Sequence, residues 1–153
     1  MTQQELNAFL LELLPNAVYS DTKQFLCVSV EPDGLIAAAT MLRNDPELQF
    51  DYLFCLSGVD GGSNLQVVYH LASTEFDHEL VLKTQTANRT APSVESVSHI
   101  WSTAEFHERE VYDLFGIHFS NHPDLRRILL DDDWTGYPLR KDYKDDVNII
   151  SLS

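Results

Sequence analysis

Apolar residues recur at Leu6, Phe9, Leu10 and Leu13, the i, i+3, i+4, i+7 spacing of a single helical stripe. Thr2-Gln3-Gln4-Glu5 stands in front of it with the spacing of a capping box, and Pro15 stops it. A nearly continuous apolar run over 24–30 predicts a buried strand. Asp33-Gly34 then opens a second helix over 35–45, which halts before Pro46. Three further strands are expected over 50–56, 65–71 and 79–86. Between the first two of these, Gly58, Gly61 and Gly62 are expected to supply positive φ for a hairpin connection. Residues 88–92 form a loop, and Ser93 is expected to cap a helix running to about residue 102. A second helical segment over 103–115 ends at Gly116, in a left-handed cap. Beyond it, residues 117–146 are dense in His, Pro, Asp, Arg, Trp and Gly and show little periodicity.

This order predicts the α+β class: a mostly antiparallel sheet of about four strands, helices packed on one face, and an irregular C-terminal extension. The expected division is an α+β domain over 1–116 and an extended, partner-binding segment over 117–153.

Charge and cysteine content narrow the function. The chain carries 24 acidic against 10 basic residues in 153, a formal charge of −14. Such a balance opposes binding to nucleic acid or to an anionic membrane through charge. No stretch approaches the roughly 18 apolar residues of a membrane span, so membrane association is expected only through partners. The opening Met-Thr-Gln-Gln has neither the basic start of a secretory signal nor the arginines of a transit peptide, and export is not expected. Cys27 and Cys55 each lie in an apolar, strand-like run. A disulfide between them stays open on sequence grounds. Two cysteines fall short of the four thiolates an all-cysteine iron–sulfur cluster takes.

Several constellations invite a chemical reading. Glu108-Arg109-Glu110 with Asp113 could be paired carboxylates, but the same spacing gives a salt-bridged helix face, with Arg109 four residues from Glu105 and from Asp113. His118, His122 and Asp124 could ligate a metal, which would make the chain a stand-alone metal-dependent hydrolase. Pro123 breaks the helical display that such a pair needs, and no HExxH pattern occurs. The glycines at 58–62 precede a strand rather than a helix and lack a Lys-Ser/Thr pair, so they do not form a phosphate loop. Six of the ten basic residues lie beyond residue 104, where Arg126, Arg127, Trp134, Tyr137, Arg140, Lys141 and Tyr143 interleave cations with large aromatics. That is the composition of protein–protein hot spots, and the intervening aspartates would repel phosphate.

The ordered run from Trp101 to Tyr143 closely resembles the C-terminal signature of the 30 kDa (C) subunit family of proton-pumping NADH:quinone oxidoreductase, respiratory complex I. Glu108-Arg109-Glu110, Asp113, His122, Arg126, Arg127, Trp134, Gly136, Pro138, Arg140, Lys141, Asp142 and Tyr143 carry it. Lys144 stands where the family commonly has proline, and the chain stops ten residues after Tyr143, as expected of a protein without a fused D subunit. The resemblance implies a non-catalytic component of the peripheral arm, packed against the D subunit and near the B subunit, on the cytoplasmic face of a bacterial inner membrane. It implies no cofactor in this chain, with FMN and iron–sulfur clusters in partner subunits. Glu108, Arg109 and Asp113 are then expected to fix the C-terminal segment on the last helix. An equivalent subunit of a membrane-bound hydrogenase or another quinone-reducing dehydrogenase is the alternative.

Overall fold

The computed structural model describes residues 2–21, 24–86 and 88–144. Helix α1, Gln3–Leu13, begins at the expected capping box: the Glu5 N–H donates to Thr2 Oγ1 at 3.2 Å and the Thr2 N–H to Glu5 Oε2 at 2.7 Å. Strands β1 (Val18–Asp21) and β2 (Leu26–Val30) follow, then a 3-10 turn over Pro32–Gly34 and helix α2, Leu35–Asn44. Strands β3 (Tyr52–Asp60), β4 (Leu65–Ser73) and β5 (His78–Gln85) complete the main sheet. Strand β6 (Ser93–Glu95), helix α3 (Ala104–Phe115) and strand β7 (His118–Ser120) close the domain.

The fold class is α+β, with a five-stranded sheet in the order β1-β2-β5-β4-β3 and a second, two-stranded sheet of β6 and β7. Three of the four pairings in the large sheet are antiparallel; β2–β5 is parallel. Side chains alternate across the strands. One face, with Val28, Leu53, Leu56, Val67, Tyr69, Leu71, Leu80 and Leu82, packs with Leu6 and Leu10 of α1, Leu35, Ala39 and Leu42 of α2, and Val111 and Phe115 of α3. The other face carries only a small cluster of Cys27, Val68 and Val81 with Phe25. The helices therefore cover one face, as the apolar pattern predicts.

Four local expectations are corrected. The helix expected from Ser93 is instead strand β6, in parallel register with β7, Ser93 opposite His118 and Glu95 opposite Ser120. Burial there alternates at Pro92, Val94 and Ser96, a period of two, but Val94 is the one apolar residue inside the three-residue strand, while Val94 and Val97 stand at the i, i+3 spacing of a helix. The region after Gly116 is accordingly not irregular at its start: Ile117 and Phe119 are core residues, and the extended course begins at Asn121. Strand β1 gave no apolar run because it is a short edge strand, where polar residues are tolerated. Finally, Gly58 lies within β3 rather than in a turn. A Cβ there would stand 2.5 Å from the Phe115 ring, so glycine is needed for close helix–sheet approach. Gly62, at φ 91°, is the glycine that turns this hairpin.

Candidate functional site

Residues 121–144 cross α3 and the end of the sheet as a strap, held by side chains of the domain beneath it. Asp113, near the end of α3 and fully buried, is the first anchor. Its Oδ1 accepts from Arg127 Nη1 at 2.9 Å, and its Oδ2 from the backbone N–H groups of Ile128, Leu129 and Leu130 at 3.2, 2.7 and 2.9 Å. Burial pushes its pKa up, but the donations from Leu130, Leu129, Arg127 and Ile128 together outweigh that and hold it below the ordinary carboxylate value. The carboxylate thus stays charged and fixes a turn of backbone. Arg127 Nη2 continues the chain of contacts to the Gly136 carbonyl at 3.0 Å.

One turn earlier on α3, Arg109 donates from Nε to the Arg126 carbonyl and from Nη2 to the Arg127 carbonyl, both at 3.2 Å. It therefore serves the strap backbone, and Asp113 takes Arg127 rather than Arg109 as its ion-pair partner. His122 brackets the start of the strap. Its Nδ1 accepts from the Asp124 N–H and its Nε2 donates to the Glu105 carbonyl, each at 2.9 Å, so both ring nitrogens are occupied by backbone. No group of three potential metal ligands occurs among the described residues.

The second anchor lies at the other end of the strap. Asp60, at the end of β3 and 7% exposed, pairs with Arg89 and accepts from the Gly62 N–H at 2.9 Å and the Lys141 N–H at 2.8 Å. The Arg89 guanidinium and the Lys141 N–H hold the Asp60 carboxyl well below the usual range. Arg140 donates to the carbonyls of Phe115 and Arg89, and the Leu139 N–H to the Leu114 carbonyl at 3.0 Å. The Tyr137 ring lies beneath both guanidiniums, 5.1 Å from Arg127 and 5.2 Å from Arg140. Gly116, in the expected left-handed cap at φ 75°, makes room for that ring: a Cβ there would stand 2.6 Å from it.

Of the candidate residues, Arg109, Asp113, His122, Arg127 and Arg140 converge on the strap through their side chains, and Lys141 through its backbone. Tyr143 covers Gly136, whose added Cβ would meet its ring at 2.8 Å. Arg126 faces solvent beside Asp124, and Trp134 is half-buried, its indole N–H without a hydrogen-bond partner among the described residues. Glu108 departs from its expected role. It is fully buried and holds the β6–α3 connection, accepting from the Val97 N–H at 3.0 Å and from the Ser96 hydroxyl at 2.6 Å. Burial, partly offset by Ser96 and Val97, raises its pKa to about 7. Asp60 and Arg89 escaped the sequence reading because Asp60 and Lys141 are 81 positions apart and share no local pattern.

The cysteines resolve geometrically. Cys27 pairs with Val81, Val81 with His70 and His70 with Cys55, one row across four adjacent strands. Three strand spacings separate the thiols by about 14 Å. A disulfide, which needs Cα atoms within about 7 Å, is excluded, and both cysteines are free. No single metal centre or cluster can take both.

These features define a class: an α+β domain with a C-terminal strap locked down by buried carboxylates. A sequence profile of the respiratory-chain NADH dehydrogenase 30 Kd subunit matches residues 28–147, and the chain belongs to that family. It is 52% identical over 114 residues to the C subunit of the NADH-quinone oxidoreductase of Chloroherpeton thalassium, covering 73% of this chain and 47% of that one. Identity is 44% over 134 residues with the C subunit from Roseiflexus castenholzii, covering 84% and 76%. The combined C/D subunit of Phocaeicola vulgatus matches at 49% over 114 residues, 74% of this chain and 22% of that protein. The chain thus spans about half of the first relative and less than a quarter of the third. Among solved structures, a chain of the membrane-bound sulfane sulfur reductase, an archaeal respiratory membrane complex, superposes with TM-score 0.74 at 26% identity, covering 92% of this chain and 85% of that one.

Proposed function

We propose that the chain is a non-catalytic peripheral component of a proton-translocating NADH:quinone oxidoreductase, supporting the quinone-reducing module by packing against the D subunit and lying near the B subunit. The observation that carries this reading is the family membership together with relatives named as C/D subunits, as in Phocaeicola vulgatus and Bacteroides fragilis. Joining two subunits in one polypeptide requires no geometric compromise where they already touch. The buried carboxylates support a structural role, because their oxygens are occupied by the chain's own donors. The flavin and iron–sulfur clusters of such an enzyme then belong to partner subunits. No helix among the described residues is long and apolar enough to cross a membrane. The proposed placement, attached through partner subunits on the cytoplasmic face of the inner membrane, is supported by the family membership.

The likeness to a chain of the archaeal sulfane sulfur reductase favours a second reading, the equivalent subunit of another respiratory complex. Purification of the tagged chain from its own cells in mild detergent, with mass spectrometry and an NADH:quinone assay, separates the two. A flavin-containing assembly with that activity is expected. Recovery of hydrogenase or sulfur-reductase subunits transfers the role to the second reading, and recovery of the chain alone refutes both.

A further inference from the structure

The strap leaves a groove open beside α3. It has a volume of about 340 Å³ and is lined by Thr103, Phe106, His107, Glu110, Ile128 and Leu129. Phe106 is 60% exposed, Leu129 62% and Ile128 39%. Their exposure has a cause: Asp113 collects the N–H groups of residues 128–130, fixing this backbone by its polar side and leaving the first two side chains in solvent. Apolar groups held rigidly in solvent form a preorganised binding surface, since little ordering entropy is left to lose on contact.

Acidic residues accompany this groove. Glu110 is the carboxylate in its lining, and the exposed Asp131, Asp132 and Asp133 begin two residues along the chain from Leu129. The ion pairs among the described residues involve Asp60, Asp142, Asp124 and Asp113, and not Glu110, Asp131, Asp132 or Asp133. Asp132 lies only within electrostatic range of Arg126. A second copy of the chain would bring the same acidic residues and a further −14 of charge, which repels. We propose that this groove seats an apolar side chain from a basic segment of a neighbouring subunit, whose lysines or arginines pair with Glu110 and Asp131–Asp133. This inference rests on the reading of the chain as part of a complex and assigns the chemistry of one of its contacts.

The test uses the tagged full-length chain in its own cells. Partner recovery is followed against salt for the wild type, for Leu129→Asp and for Glu110→Lys combined with Asp133→Lys. All these positions are exposed, so the variants are expected to melt with the wild type. Recovery of oxidoreductase subunits is expected to fall with rising salt for the wild type and to drop roughly tenfold or more for both variants. A photocrosslinking residue at position 129 is expected to capture a Lys/Arg-rich segment of one such subunit. Variants that keep the complex with unchanged salt dependence, or a crosslink to an acidic or uncharged segment, overturn the groove while leaving the reading of the chain as a complex component intact. Failure of the wild type to recover partners at any salt overturns both.

Discussion

Arg127 reaches back fourteen residues to Asp113, 2.9 Å from its carboxylate, and with its other terminal nitrogen holds the Gly136 carbonyl nine residues ahead. One guanidinium thereby ties the last helix, the turn at 127–130 and the turn at 136 into a unit. The pair is nearly closed to water, at 0% and 11% side-chain exposure, so both charges depend on each other and on the surrounding backbone donors.

Asp113→Ala is therefore expected to lower stability by about 3 kcal/mol, because it strands a buried guanidinium and three backbone N–H groups. Chemical denaturation measures the loss, and limited proteolysis should show new cleavage within 121–136. Arg109→Ala, which removes donors to only two carbonyls, is expected to give milder cleavage in the same region; unchanged protease sensitivity there would refute its role. The acid limb follows from the same anchors. Asp113 and Asp60 both have depressed pKa values in the folded state. Their stabilisation is thus present above the unfolded carboxylate value and lost as pH falls below about 4. In Asp113→Ala the acid-induced loss should be visibly shallower.

Glu108 has the opposite sign. Its folded pKa is raised to about 7, so the protonated form is favoured by folding. Stability from this group is complete below about pH 4.5 and declines as pH rises toward and through 7. The protonated carboxyl can donate to Ser96 Oγ while still accepting from the Val97 N–H. Glu108→Gln reproduces that arrangement without a titratable proton. Relative to the wild type, the variant should gain up to roughly 3 kcal/mol between pH 5 and 8, an upper figure set by the size of the shift. Denaturation midpoints across that range check it, and parallel curves for the two proteins would rule it out.

Gly116→Ala meets two obstacles at once, a left-handed backbone at φ 75° and the Tyr137 ring 2.6 Å from the new Cβ. A cost of about 1–2 kcal/mol is expected from the backbone alone. Displacement of Tyr137 should add to this by releasing the stack under Arg127 and Arg140. A thermal melt gives the sum, and Tyr137→Ala on the Gly116→Ala background should cost little more than Gly116→Ala alone if the ring is already displaced.

The two thiols offer a test of the sheet order itself. With Cys27 and Cys55 about 14 Å apart, mild oxidation of the native chain should leave both thiols titratable after denaturation, and mass spectrometry should show no intramolecular bridge. Cys27, 3% exposed, should label only on unfolding. An intramolecular disulfide formed without loss of structure would contradict the strand order.

Much of this protein is determined by local sequence. The capping box at Thr2 and Glu5, the apolar stripe of α1, the long strands β3–β5 and the left-handed stop at Gly116 each depend on residues within a turn or two, and their periodicity is enough to predict them. The run from Trp101 to Tyr143 likewise carries the family in the order of its residues. Tertiary structure decided what no local period encodes. Strand β6 forms because β7, some 25 residues later, offers its edge and Glu108 ties down the loop that follows. Gly58 is required by Phe115, and Cys27 and Cys55 are kept apart by two strands inserted between theirs. Above all, Asp60 becomes an anchor only when Lys141 arrives beside it. Burial and hydrogen-bond satisfaction are properties of residues brought together across the fold, and in this protein those long-range pairings turn a charge-rich C-terminal sequence into an ordered strap.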